Sequence, residues 1–575
     1  MAPVLPPTID PALPLAPPRI AAPISTVANL GKNLDVNEIY RPFMDQWDLG
    51  FSFNHQERPE GYSLELLEGA LPEGLEGTYF RNGPGRFSMG PDAYQHPYDG
   101  DGLIASIAIK GGRAHFRSAF IRTQEYELET QAQRVLFRGT FATQRSGGVL
   151  NNALNLVIKN TSNTNVVPWG DSLLTLFEAG LPMNLDPSTL ATRGMETLGG
   201  LLSPGLPMEL GSPGINASFG KFQQLLGANA GLPVGLVAGG GQACTAHPHV
   251  DSNTGRLALF TYRMQAQAGS LNPLAMDTMI TFRELSPGQL DVVTTATFLM
   301  PGYGFVHDFA ITKNYYIVFQ PPVYTDMVPY LTGQTCAASC VRFRAGSPTL
   351  VHVVPRPGSE AEGRGEAPRK FTISPATFTF HHCNAFEDES RPGVIVIDSI
   401  HYDSLPAVGK QALSEQQVDP DAGFKSKLKR TTLDLTQGTA AVAPAKQDAY
   451  LELPCINDAH YGRPHRYVYG YSSIFEAAAI GIAKIDMETS QSQRFHPGWG
   501  VMCLEPEFVP RPNARSEDDG WLLCTVFDSN TCTSEFWIFD AWQLPSGPIA
   551  RLALPDALPH QLHGNWSSVY HGPAQ

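Results

Sequence analysis

The sequence predicts an all-β protein, either a β-propeller or a large β-sandwich. Short apolar and β-branched runs such as "LALFTYRM" and "NYYIVFQ" recur from about Gly77 to the end of the 575-residue chain. Turn-forming residues separate these runs, and the chain contains 54 Gly and 48 Pro. Long amphipathic helical patterns are scarce, and no WD or Kelch-type repeat is visible. The pattern therefore favours one large β domain whose repetition is structural only.

The predicted domain organisation is a single large β domain over residues 61–575, preceded by an N-terminal arm over residues 1–60 with a proline-rich start. A Gly/Leu/Pro-rich insertion at about 195–241 interrupts the strand pattern. We interpret it as a solvated loop or, alternatively, as an apolar patch that contacts a membrane surface or lines a substrate entrance. No apolar run reaches the ~18 residues that a membrane-spanning helix needs.

The net charge and the cysteine spacing indicate which class of partner and which cellular compartment to expect. The net charge of −15 at pH 7 argues against a nucleic-acid partner. The eight cysteines are scattered and lack the paired Cys-x-x-Cys spacing of a zinc site. With no visible signal peptide, we expect reduced thiols in a cytosol-like compartment, with a peripheral membrane location or a plastid as alternatives. No obligate protein partner is evident in the sequence.

Two adjacent histidines lie in the strand-like stretch "TFTFHHCNAFED". Because side chains alternate along a strand, His381 is predicted on the threonine face and His382 on the phenylalanine face. Only one of the two can point at a shared centre. We predict that His381 does so and that His382 has a packing or hydrogen-bonding role.

Four histidines and three glutamates share strand-like or strand-flanking contexts, spaced by roughly one propeller blade with its loops. They are Glu178, His247, His307, His381, Glu452, Glu505 and His563. We expect each to lie at a similar point of successive blades and to converge on the axis. Four imidazoles suit Fe, Cu, Zn or Ni, and an octahedral ion would keep two positions open for a small molecule such as O₂. The glutamates would accept the second ring N–H of three ligands.

Motifs along most of the chain, from about Gly61 to Trp566, resemble those of the carotenoid cleavage oxygenase family. They include "GTYFRNGPGRF", "HPYDGDGLIASI", "NTSNTNVVPWGDSLLTLFEAG", "RPHRYVYG" and "FVPRPNARSEDDGWLLC". The stretches "FRGTFATQRSGG" and "DSIHYDSLP" are most similar to bacterial apocarotenoid-cleaving oxygenases.

The resemblance implies a seven-bladed β-propeller with one Fe(II) on its axis and a cap of loops and helices over one face. Carried over by motif, the implied iron ligands are His247, His307, His381 and His563, with Glu178, Glu452 and Glu505 behind them. His249 remains a rival to His247, since residues i and i+2 share a strand face. Thr164 of "NTN" matches a threonine that crowds an open iron position in the family.

The implied activity is that of a non-haem Fe(II) dioxygenase, which uses O₂ to cleave a carbon–carbon double bond of a carotenoid or apocarotenoid into two carbonyl products. An apolar small-molecule substrate would lie in an aromatic tunnel, and ordinary core packing is the alternative role of its candidate walls. Those walls are Phe141, Phe177, Phe305 and Phe380.

Several alternatives remain open at this point. In the stilbene-cleaving branch of the family, a Tyr stands in place of Phe141 and a Lys in place of Phe177, and the pair grips a phenol. Both positions are Phe here, which favours an apolar apocarotenoid over a hydroxystilbene, although the "LHGNW" ending resembles stilbene cleavers. More distant alternatives are a retinoid isomerohydrolase, a zinc hydrolase and a metal-free propeller that serves as a binding scaffold.

Overall fold

The structure is a computed structural model that describes residues 36–209, 240–270, 275–406, 426–445, 451–474 and 478–574. The proline-rich start and most of the insertion at 195–241 lie outside the described residues.

Strands make up most of the regular secondary structure of the described chain, and those of its first half fall into three groups. The first group is β1 (Arg58–Ser63), β2 (Leu66–Gly69), β3 (Gly77–Arg86), β4 (Ser88–Met89), β5 (Asp92–Ala93), β6 (Asp101–Lys110) and β7 (Arg113–Phe120). The second is β8 (Asn165–Trp169), β9 (Ser172–Leu176), β10 (Met183–Leu185) and β11 (Thr192–Met195). The third is β12 (Met208–Glu209), β13 (Ala243–Cys244), β14 (His249–Val250), β15 (Leu257–Ala266), β16 (Met276–Leu285) and β17 (Val292–Met300).

The strands of the second half fall into four groups. The fourth group is β18 (Ala310–Ile311), β19 (Tyr315–Gln320), β20 (Val323–Thr325), β21 (Val341–Phe343), β22 (Thr349–Pro355) and β23 (Arg369–Ile373). The fifth is β24 (Phe378–Glu387), β25 (Val394–Tyr402), β26 (Lys427–Asp434) and β27 (Thr439–Pro444). The sixth is β28 (Glu452–Cys455), β29 (Tyr467–Ile474), β30 (Ala479–Asp486) and β31 (Ser492–Phe495). The seventh is β32 (Val501–Cys503), β33 (Glu507–Pro510), β34 (Gly520–Asp528), β35 (Thr533–Asp540), β36 (Pro548–Leu554) and β37 (Gly564–Ser567).

The helices of the described residues are few and mostly short. They are α1 (Val36–Leu49), α2 (Gln124–Ala132), α3 (Val149–Asn152), α4 (Val328–Leu331) and α5 (Glu360–Gly363). On α1, Phe43 and Met44 are buried and pack against Ile480 of β30 and Phe527 of β34, so this helix lies against the propeller. Within the described ranges, no helix combines the length and the apolar character needed to cross a membrane.

The strands form seven antiparallel blades, numbered here in chain order and written from the inner strand outward. They are blade 1 (β37-β3-β6-β7-β1), blade 2 (β8-β9-β10-β11), blade 3 (β13 and β14, then β15-β16-β17), blade 4 (β18-β19-β22-β23), blade 5 (β24-β25-β26-β27), blade 6 (β28-β29-β30-β31) and blade 7 (β33-β34-β35-β36-β2). Strand β32 pairs with β30 and β34 and joins blades 6 and 7 into one sheet. The predicted seven-bladed β-propeller is confirmed, and the sandwich alternative is wrong.

Both ends of the chain close the ring. The C-terminal strand β37 pairs with β3, from Thr78 with Ser567 to Arg81 with Gly564. Near the other end, β2 pairs with β36 on the outside of blade 7. Closure therefore inserts β37 as the inner strand of blade 1, in contact with β8 of blade 2 and β33 of blade 7.

Apolar side chains fill the spaces between neighbouring blades. Ile107 and Phe116 of blade 1, for example, share one cluster with Phe536 and Leu552 of blade 7. Because each blade is packed on both faces, its middle strands are apolar almost without alternation, as in β25, where every residue is buried. This packing holds the inner strands in fixed positions around the axis.

Strand β24 corrects the predicted strand faces of the two adjacent histidines. Thr379 pairs with His401, but His382 rather than His381 pairs with Ser399, so a β-bulge lies between Thr379 and His382. His401 and Ser399 share a face of β25, which places His382 on the threonine face and turns His381 to the other. The predicted faces were wrong because the extra residue of a bulge reverses the alternation that follows it.

Candidate metal centre

Six of the seven predicted site residues lie at or next to the start of an inner strand. His247 lies between β13 and β14, His307 precedes β18, His381 is in β24, Glu452 begins β28, Glu505 precedes β33, and His563 precedes β37. The seventh, Glu178, does not fit this expectation, because it follows β9, the second strand of blade 2. The equivalent place in blade 2 belongs to Thr164, directly before β8.

The four predicted histidine ligands converge on the axis. The Nε2 atoms of His247 and His307 are 2.9 Å apart. The ligand atoms of His247, His307 and His381 all lie within 4.8 Å of one another. The ring of His563 completes the cluster, with its centroid 4.7 Å from that of His247 and 5.2 Å from that of His381.

Three of the four rings are held from behind by a carboxylate. His381 Nδ1 lies 2.6 Å from Glu452 Oε2, and His563 Nδ1 lies 2.7 Å from Glu505 Oε1. His307 Nδ1 makes the same contact with Glu178 Oε2. An ionised carboxylate only accepts hydrogen bonds, so the Nδ1 of each ring carries the proton and the Nε2 lone pair faces the axis.

Electrostatics support the neutral form of His247 and the ionised form of two of the carboxylates. Burial, reinforced by the three other imidazoles, holds the pKa of His247 well below its ordinary value, so this ring is neutral. Burial opposes ionisation of Glu452 and Glu505, but the His381 and His563 imidazoles outweigh it. The pKa of each carboxyl is therefore lowered, and both are ionised near neutral pH.

The carboxylates differ in how firmly they are fixed. Glu452 also accepts hydrogen bonds from the Tyr402 hydroxyl and from Leu453 N at 2.8 Å. Glu505 also accepts from Arg81 Nη1 and from Gly564 N, each at 2.8 Å. The Glu178 side chain is 26% exposed, against 9% for Glu452 and 9% for Glu505. One glutamate is therefore partly accessible, whereas the other two are packed.

Asp308 connects the segments that carry two of the rings, and the sequence reasoning did not select it. Its Oδ1 lies 2.8 Å from His249 Nε2, and its Oδ2 accepts from His382 N at 2.8 Å. Burial opposes its ionisation, but His249 and the hydrogen bond from His382 lower the pKa of Asp308 to about 2. The Nε2 atom of His249, the alternative to His247, therefore contacts Asp308 and does not face the axis. The only local signal for Asp308 is its place directly after His307 in "HDF".

The predicted aromatic walls lie at different depths. Phe380 is next to the cluster, with its ring centroid 5.0 Å from that of His307, and Phe305 lies 6.4 Å from Phe380. Phe141 is farther out and stacks on His96 at 4.6 Å. Phe177 is only 4% exposed and is packed in the interior.

Thr164 is tied directly to one of the rings. Its carbonyl oxygen accepts a hydrogen bond from His563 N at 3.2 Å, and its own N–H donates to Leu176 O at 3.0 Å. The residue is half-buried.

The donor set fits a divalent transition metal. Four imidazole nitrogens face one point, and the buried Nε2 of His381 has no hydrogen-bond partner among the described residues. The 2.9 Å between the Nε2 atoms of His247 and His307 is short enough for both to bind one cation. Imidazole is a good ligand for Fe, Cu, Zn and Ni, and the geometry alone does not select among them.

Replacing Asp308 by Asn should weaken metal retention by about 10-fold or more, because an amide NH₂ cannot accept hydrogen bonds from both His249 and the His382 backbone. Metal per chain after dialysis against a chelator measures the effect. The matched control is Asp388→Asn, in the exposed turn after β24. Equal retention in the two variants would show that Asp308 does not position the rings.

Replacing Glu452 by Gln should lower metal affinity by about 10- to 100-fold, since the charge behind His381 is lost while its ring remains. Replacing His307 by Ala should abolish retention, because it removes a donor atom. Metal titration of both variants, with the exposed Glu389→Gln as control, tests whether the His307 variant loses more metal affinity than the Glu452 variant. A Glu452 effect as large as the His307 effect would mean that the glutamate is itself a ligand.

Comparisons with known proteins agree with this architecture. Residues 51–568 match the family model described as RPE65, retinal pigment epithelial membrane protein. The chain is 36% identical to the apocarotenoid-15,15'-oxygenase of Synechocystis sp., across 91% of this chain and 96% of that protein. It is 27% identical to resveratrol cleavage oxygenase 1 of Aspergillus fumigatus, across 88% and 93% respectively. The solved structure of cobalt-substituted Synechocystis apocarotenoid oxygenase matches with a TM-score of 0.73 at 34% identity, over 91% of this chain and 98% of that one.

These comparisons extend the motif resemblance to the whole domain. The matched region spans all seven blades, and the cobalt-substituted relative carries a metal in the same fold. The chain therefore belongs to the RPE65 family, the carotenoid cleavage oxygenase family that its motifs predict.

Proposed function

We propose that this protein is a non-haem Fe(II) dioxygenase that cleaves a carbon–carbon double bond of a carotenoid or apocarotenoid with O₂, giving two carbonyl products. The observation that carries the proposal is the convergence of His247, His307, His381 and His563 on one point, with carboxylates behind three of them. An Fe(II) ion held by these four nitrogens would bind and activate O₂, which no side chain of the site can do.

The residues around the ion have separable roles. The imidazoles would hold the ion, and the glutamates fix the ring tautomers and would supply the negative charge that balances it. Thr164, placed beside His563, would restrict access to the ion. Phe380 and Phe305 form an apolar wall next to the ligands, which excludes water and aligns a polyene against the centre.

The composition of the wall favours a polyene over a phenolic stilbene. Phe141 and Phe177 cannot grip or ionise a phenol, since neither side chain has a hydrogen-bonding group. The identity to the apocarotenoid oxygenase, 36%, also exceeds the 27% to the resveratrol-cleaving enzyme. Stilbenoid cleavage on the same site is the second candidate, supported by the resveratrol-cleaving relative.

An exposed apolar patch supports contact with a membrane surface, where an apolar substrate would be dissolved. On and beside α3, Leu150 is 89% exposed, Val149 50% and Leu154 45%, and on α4 Val328 is 56% exposed. Leu154 N donates to Leu331 O at 2.8 Å, which joins the two helices into one surface. Single exposed apolar residues are common, but a contiguous group is typical of a binding surface.

The activity test is anaerobic metal analysis followed by product identification under ¹⁸O₂, with an apocarotenal and resveratrol offered in parallel. We expect about one iron per chain and label in aldehyde products of the apocarotenal alone. Cleavage of resveratrol instead would favour the second candidate. Absence of both iron and products would contradict the dioxygenase proposal and support a metal-free scaffold.

The membrane test is co-sedimentation with phosphatidylcholine vesicles. Replacing Leu150 by Ser should reduce binding by about 10-fold or more, given the transfer free energy of one leucine side chain. Val569→Ser is the matched control, because Val569 is 55% exposed but follows β37. Equal binding by the wild type and both variants would rule out a membrane role for this patch.

A further inference from the structure

The interior wall beside Glu452 contains two tyrosines that the proposed reaction does not yet use. Tyr471 on β29 is the direct cross-strand partner of Glu452 on β28, so the two side chains leave the same face of blade 6. Tyr98 lies on the 3₁₀ turn Pro97–Asp99, and its carbonyl oxygen accepts a hydrogen bond from Asn163 Nδ2 at 3.0 Å, next to Thr164. Both tyrosines therefore flank the metal centre.

Packing contacts fix the rings of both tyrosines, whereas their hydroxyls have no hydrogen-bond partner among the described residues. The Tyr98 ring lies 5.7 Å from Phe141, 5.2 Å from His96 and 6.0 Å from Phe51. Its backbone is fixed as well, since its N–H donates to His96 Nδ1 at 3.1 Å. Tyr471 packs against the cluster that contains Phe43 of α1. Neither hydroxyl hydrogen-bonds any residue in the described ranges, and both side chains are half-buried, so they border an interior space.

Glu452 makes no hydrogen bond to either hydroxyl, and its oxygens accept from His381 Nδ1, Leu453 N and the Tyr402 hydroxyl instead. Burial, with a contribution from Glu452, raises the pKa of Tyr98 to about 12 and that of Tyr471 well above its ordinary value. Both phenols are therefore neutral donors at physiological pH. Neutral donors suit a carbonyl or alcohol oxygen, and they lack the basicity needed to ionise a phenol.

We propose that Tyr98 and Tyr471 form a hydrogen-bonding pair that binds the oxygen atom of a substrate end group, so that the enzyme prefers polyenes ending in an aldehyde or alcohol over hydrocarbon polyenes. The proposal rests on the proposed function and narrows its substrate class. In an otherwise apolar wall, a hydroxyl that the substrate covers without pairing it is unfavourable, so these two donors discriminate against a chain without oxygen.

The test compares Tyr98→Phe and Tyr471→Phe, singly and combined, on two polyenes of equal length. One polyene ends in an aldehyde, and the other ends in a methyl group at the same carbon. Each substitution should raise the KM for the aldehyde by about 3- to 10-fold, as expected for one neutral hydrogen bond, and leave the hydrocarbon unaffected. Tyr324→Phe is the control, since Tyr324 is exposed on β20. Unchanged iron content in all variants verifies that the centre is intact.

A second readout separates this proposal from the proposed function. Tryptophan fluorescence titration without O₂ measures the Kd of each polyene and requires no turnover. If the Kd for the aldehyde rises in the Phe variants, the tyrosine pair is supported even when no polyene is cleaved. In that case the absence of cleavage would overturn only the dioxygenase proposal. Equal changes for both polyenes, or no change for either, would overturn the tyrosine pair even if cleavage proceeds.

Discussion

The hydrogen bond from a buried imidazole Nδ1–H to a glutamate is the interaction on which the site depends. It sets the tautomer of His307, His381 and His563, directs each Nε2 to the axis and places negative charge behind the ring. Without it, four imidazoles in an apolar interior would have no preferred orientation. The buried carboxylates remain ionised because the imidazoles and further N–H and O–H donors outweigh the effect of burial.

The propeller makes these contacts possible through closure of the ring. His563 reaches the axis only because β37, from the end of the chain, becomes the inner strand of blade 1. Its partner Glu505 comes from blade 7, and the carbonyl of Thr164, from blade 2, accepts its backbone N–H. One ring is therefore oriented by three neighbouring blades, so the centre forms only when the whole propeller has folded. Asp308 ties the segments behind His307 and His381 together in the same way.

The interior space has one apolar side and one side with hydroxyl groups. Phe380 lies against His307 and Phe305 lies against Phe380, while Tyr471 is the cross-strand partner of Glu452 and Tyr98 contacts Phe141. Such a difference orients a long substrate, because an apolar chain and a polar end group prefer opposite sides. The surroundings of Phe141 are also not purely apolar, since the neighbouring Tyr98 supplies a hydroxyl within the same aromatic group. A phenylalanine at one motif position does not make the surrounding wall wholly apolar.

The sequence by itself determined the class of the fold, the family and the set of residues that meet at the axis. Strand-length apolar runs, turn residues and ordered motifs are local signals, and the identities of His247, His307, His381 and His563 can be taken from their motifs. Tertiary structure alone decided how those residues are presented. The bulge before His382 reversed the predicted faces, and it could not be predicted because it depends on pairing with β25. Thr164 rather than Glu178 lies at the equivalent place of blade 2, because strand order fixes which strand is innermost. The roles of Asp308, Tyr98 and Tyr471 likewise depend on contacts with residues far away in the chain, which no local sequence pattern shows.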